Sequence, residues 1–140
     1  MEQARGECER ERQEFEAALQ LSGRIAAEQR DAFNAMQDAL AAYKTAAADV
    51  CGDLDEVASL QQQYLDAKAV FAARSIELEA ARRVAETEKE EFECAKSFKE
   101  KEELDLQEAA AALQREVEEA SHAAEAFEQV FSLPPETQLC

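Results

Sequence analysis

The chain has 140 residues, 32 of them acidic and 15 basic, and a formal net charge of −17. Such a surface repels phosphate backbones and anionic lipid headgroups, so nucleic acid and membrane surface are disfavoured as partners and a basic protein surface is favoured. With 34% charged residues, three Gly and no Trp, and with about thirty Ala making up much of the 46% apolar fraction, the composition is that of a long-helix or coiled-coil chain and excludes a large compact core.

Residues 1–12 are almost entirely charged, and with Gly6 they are expected to form a partly frayed terminus. A heptad pattern then sets in with Phe15, Ser22, Gln29, Met36, Tyr43 and Val50. It is interleaved four residues on by Leu19, Ala26, Phe33, Leu40 and Ala47, the 3,4 spacing of a coiled-coil seam. Ser22-Gly23 is the weak point of this first arm, read as a tolerated interruption in preference to a close helix approach. The arm is expected to span 4–51.

Val50-Cys51-Gly52-Asp53-Leu54 is the one clear turn. Gly52 suits a left-handed position closing the first helix, and Asp53 suits the N-cap of the next, with Glu56 three residues on as a capping-box partner. A link of two residues, 52–53, between long helices folds them back antiparallel.

From Asp53 to Leu133 there is neither Gly nor Pro, and one seven-residue frame runs throughout. Its members are Val57, Tyr64, Phe71, Leu78, Ala85, Phe92, Lys99, Leu106, Leu113, Ala120 and Phe127. A repeat of seven closes on two helical turns to within about 20°, so these side chains line one stripe of a rod. The expected fold is all-α, a long antiparallel helical hairpin or coiled coil whose second arm, 54–132, is much longer than the first. First-arm cover should run out near residue 101. There the companions of the stripe also shift from three residues on (Leu60, Ala67, Ala81, Ala95) to four residues on (Ala110, Val117, Ala124, Phe131). The charged stretch 97–105 breaks the frame at Lys99 and Glu103. A hinge there would give the alternative, an elongated three-helix bundle. Pro134-Pro135 ends any helix and leaves 133–140 as a non-helical tail.

Little in the chain suggests chemistry. The single His, His122, is read as a helix-surface residue because a rod offers no concave pocket. The carboxylates of Glu88-Lys89-Glu90-Glu91 are read as pointing outward from a helix, not converging on a cation as a Ca²⁺ loop requires. No catalytic residue, cofactor or metal is expected. Four Cys without a CxxC pair (8, 51, 94 and 140) fit a reducing compartment, and no hydrophobic leader or membrane span is evident. Cytoplasm, with attachment to the cytoskeleton, or nucleus is the expected location.

Function is therefore expected to be geometric. The chain reads as a non-enzymatic coiled-coil scaffold subunit of a larger assembly, cytoskeletal, axonemal or kinetochore-like, acting as a rigid spacer and partner-binding rod. The alternatives are a small acidic helical chaperone or adaptor masking a basic partner, or a vesicle-tethering subunit. The expected partner surface is the stripe Leu106, Ala110, Leu113, Val117, Ala120, Ala124, Phe127 and Phe131, beyond the reach of the first arm. Between Glu102 and Glu136 ten acidic residues face Arg115 alone, so two such segments packed side by side would repel. The expected partner is a different, more basic coiled-coil chain.

Overall fold

The computed structural model describes residues 2–132 and contains two helices, α1 (Glu2–Ala48) and α2 (Leu54–Ser132), packed antiparallel against each other. The expected all-α hairpin with unequal arms is present. At about 1.5 Å per residue, α2 is roughly 120 Å long and α1 roughly 70 Å. The tail 133–140 lies outside the described residues.

α2 passes through 97–105 without a break, so the third helix of the alternative bundle does not form. Neither Gly nor Pro interrupts the backbone there, and the two frame-breaking side chains find places at the seam. Glu103 pairs with Arg5 Nε at 3.4 Å, and Lys99 lies half-buried. At the other strand of the hairpin, α1 begins at Glu2, inside the charged segment expected to fray. Ala4 and Cys8 are buried there because α2 is long enough to lie beside them.

The link spans 49–53. Asp49 and Asp53 both act as local caps. Asp49 Oδ1 accepts the Cys51 N–H at 3.0 Å and Asp53 Oδ1 accepts the Asp55 N–H at 2.9 Å. The Asp53 carbonyl accepts the Val57 N–H at 3.1 Å and opens α2. Among the described residues no bond returns from Glu56 to Asp53. Gly52 is not left-handed, contrary to expectation: no glycine has a positive φ. Its role is space. Its N–H donates to the Asp49 carbonyl at 3.2 Å, and a Cβ at this position would come within 3.3 Å of that same oxygen.

In α2 the seam follows the expected frame. Val57, Tyr64, Phe71, Leu78, Ala85, Phe92 and Lys99 are buried or half-buried, as are Leu60, Ala67, Arg74, Ala81, Glu88, Ala95 and Glu102 three residues on. In α1 the frame of Phe15, Ser22, Gln29, Met36 and Tyr43 holds, and its expected companion column holds in part, with Ala26 and Leu40 half-buried. A second buried or half-buried column lies three residues on, at Ala18, Ile25, Ala32, Ala39 and Ala46, while Leu19 and Phe33 of the expected column remain 49% and 42% exposed. Val50, at the end of the expected frame, lies in the turn and is 99% exposed. Small residues at the contact let two helices approach closely, and the large side chains of one arm fill the room left by the alanines of the other. Leu19 and Phe33 are displaced to one edge of the hairpin.

Antiparallel register is marked by Phe15 stacked on Phe92 (ring centroids 6.0 Å apart) and Phe33 tilted on Phe71 (5.4 Å). Between them lies a polar layer. Gln29 Nε2 donates to Ser75 Oγ at 3.1 Å, Ser75 Oγ donates back to the Phe71 carbonyl, and Arg74 reaches Glu28 and Glu77 at 3.4 and 2.8 Å. Polar groups within an apolar seam penalise slipped registers, because a slip would bury them unpaired.

Candidate partner-binding surface

The hairpin ends where α1 ends. Arg5 pairs with Glu103 at that end, and from Leu104 to Ser132 every residue but the half-buried Ala112 is exposed. The last 29 residues of α2 therefore project about 43 Å beyond the hairpin. The expected stripe is on this projection and none of it is covered by α1. Leu106, Leu113, Val117, Phe127 and Phe131 are 49–67% exposed, and Ala110, Ala120 and Ala124 fill the intervals. The Phe127 and Phe131 rings, one turn apart, pack on each other with centroids 4.5 Å apart.

Two neighbours belong to the same face. Ala109, Ala123 and Val130 continue the three-on companion column past the hairpin, interrupted by Glu116, so the apolar face is about 100° wide. Val130, 56% exposed, lies in this three-on column and so outside the four-on companions of the expected stripe. Asp105, Glu116, Glu119 and Glu128 border or interrupt this face, whereas Arg115 falls on the opposite side of the helix by its position in the repeat. His122 is exposed, also away from the stripe.

A second constellation lies within the hairpin. Glu88 and Glu91 of α2 face Glu11 and Glu14 of α1, with carboxylate oxygens of all four within 4.8 Å of one another. The expectation that the glutamates of this stretch point outward is wrong for Glu88, whereas Glu91 remains exposed at the edge of the cluster. Glu88 occupies a companion position of the seam, so its carboxyl is drawn between the arms, and one oxygen each of Glu88 and Glu11 is shielded from water without a hydrogen-bond partner. Loss of solvation, followed by repulsion from Glu91, Glu14 and Glu11, raises the Glu88 pKa above the ordinary carboxylate value. Arg10 offsets part of the charge, 3.3 Å from Glu11 and 3.9 Å from Glu14. One helix turn away the balance reverses: Arg12 binds Glu9 and Glu16, holding the Glu9 pKa below its ordinary value. The carboxylate cluster is a point of electrostatic strain in the seam. Only the grouping of acids points to an ion there.

Gly23 lies mid-helix with nothing within 4 Å of a Cβ placed on it, so the interruption is tolerated and permits no close helix approach. Cys8, Cys51 and Cys94 are free thiols. Among the described residues no helix is long and apolar enough to cross a membrane. No family model matches the chain, and it has no match among the curated proteins or the solved structures compared with it.

Proposed function

We propose that the chain is a non-enzymatic scaffold subunit of a larger coiled-coil assembly, in which the hairpin is a stiff spacer and residues 104–132 are the partner-binding segment. The observation that carries this reading is the projecting helix itself, 29 residues long and apolar along one face that α1 does not reach. Leu106, Leu113, Val117, Phe127 and Phe131 would each contribute about 1.5–3 kcal/mol when fully buried, before the cost of ordering a partner. No other described feature gives so large an apolar surface a reason to remain in water.

The partner surface must be helical and carry positive charge, because the acids bordering the stripe would otherwise be brought together with like charges. Two sources meet this chemistry: a different, more basic chain, and a basic region of a second copy. Assemblies that use such rods include cytoskeletal, axonemal and kinetochore frameworks, and the unpaired thiols suit the reducing interior of cytoplasm or nucleus. The test compares the full chain with residues 1–101 as bait in the cells that make it. Stoichiometric helical chains retained by the full protein and lost from the truncated one support the assignment. Equal retention by both places the binding surface on the hairpin and removes it.

A further inference from the structure

We infer that the occupant of the projecting segment is the hairpin of a second copy of this chain, docked along the edge of its turn-proximal half. This rests on the assignment of 104–132 as the binding segment and names its partner.

The hairpin has two open edges of different character. One carries Glu14 and Glu91 and is acidic. The other carries large apolar side chains only partly taken into the alanine-lined seam: Leu19 and Phe33 on α1, the latter with its ring against Phe71, and Leu65 on the neighbouring face of α2 are 42–49% exposed. The α2 side of this second edge carries Glu79, which pairs with Arg83, and Glu86, which lies near Leu19, but from the turn out to Leu19 the edge also bears Arg30, Lys44 and Lys68. These three basic residues are exposed, and among the described residues none of them takes part in an ion pair. In a protein of net charge −17 a basic, apolar strip of this size is the exception. It complements the projecting segment in both respects, an apolar face against an apolar face and positive flanks against negative ones.

Length agrees as well. The strip covers 19–47 of α1 and the projecting segment covers 104–132, 29 residues each and about 43 Å. If Leu104 is laid beside Leu19, and hence Ser132 beside Ala47, the helical rise brings Arg30 level with 115, next to Glu116. Lys44 comes level with 129, next to Glu128. In this register the two molecules are related by a two-fold axis across the rod. Each projecting helix becomes the third helix of its partner's turn end, and both stripes are covered at once in a closed dimer. The repulsion between two projecting segments does not arise, because they lie at opposite ends.

Charge reversal tests this with the full chain, measured by light scattering and sedimentation equilibrium at tens of micromolar. The wild type is expected at twice the 15.5 kDa chain mass. R30E/K44E/K68E, changed on the strip, and E116K/E119K/E128K, changed on the projection, should each be monomeric with helicity by circular dichroism unchanged. Mixing the two should restore a dimer containing one of each, since every strip then meets a projection of opposite sign. A monomeric wild type, or two variants that each remain dimeric, overturns the inference. The first result leaves 104–132 available to a different basic chain, which the truncated bait tests separately. A dimer retained by residues 1–101 would overturn the binding-segment assignment too.

Discussion

Residues 54–103 and 104–132 belong to one uninterrupted helix and to one seven-residue frame, yet they differ in everything that packing decides. Leu78, in the first region, is 2% exposed. Leu113, five heptads on at an equivalent position of the frame, is 62% exposed. The sequence around the two is similarly rich in Ala and Glu, and the helix propensity of both regions is high. What separates them is whether α1 is present alongside. Periodicity states that a face must be covered and is silent on what covers it; chain length decides which part of the face finds its cover in the same molecule.

Amide hydrogen exchange should give the widest separation. Backbone amides at 78–85 are expected to exchange only through opening of the hairpin, whereas those of 106–131 open locally at sub-dimerising concentration. A protection ratio of at least 100-fold is expected. Uniform protection of both regions at nanomolar concentration would mean that the projecting helix is covered within one chain, and the comparison would fail.

Truncating a buried and an exposed leucine comes next. Leu78→Ala removes side-chain volume from the tightest point of the seam and should cost about 2–4 kcal/mol in denaturant unfolding. Leu113→Ala should move the hairpin transition by less than about 0.5 kcal/mol in dilute solution. Similar losses at the two sites would show that the regions unfold as one unit.

The turn is expected to matter less. Asp53→Ala removes the cap on α2 and should cost about 1 kcal/mol by thermal melting. Gly52→Ala must move the Asp49 carbonyl by a few tenths of an ångström and should lower stability further without opening the hairpin. Spin labels at 43 and 60 would report that geometry. Broadening of their separation in the double variant would show that turn chemistry, beyond seam packing, holds the arms together.

The smallest effect concerns acid. The raised pKa of Glu88 means that the folded hairpin binds a proton more readily than the unfolded chain, so stability is gained as pH falls through the folded value toward the ordinary one. Glu9 has the opposite sign: its pairing with Arg12 contributes above the ordinary carboxylate pKa and is lost as pH falls through its lowered value. The melting temperature should therefore rise as pH falls from neutrality toward the ordinary carboxylate range and fall again in stronger acid. Glu88→Gln should raise the neutral-pH melting temperature and flatten that rise. An unchanged pH profile in this variant would locate the strain elsewhere.

The sequence by itself determined the helical class, an antiparallel return within 50–54, the frame of α2 from Val57 to Phe127, and the point near 101 beyond which α1 cannot reach. These follow from a period of seven, from the distribution of Gly and Pro, and from counting residues at a fixed rise, none of which depends on a partner. The eight stripe residues from Leu106 to Phe131 were legible for the same reason, as positions on a helix face. Tertiary structure decided which side chains of α1 the seam takes in fully. Leu19 and Phe33 outweigh Ala18 and Ala32 in hydrophobicity, and a reading by hydrophobicity alone places them inside. Two helices in contact gain more from close approach, and alanine permits the approach that leucine prevents. That choice also turned Glu88 inward against Glu11 and Glu14, and left a basic apolar edge on the outside. Neither can be read from one helix at a time, because each is a property of the space between two.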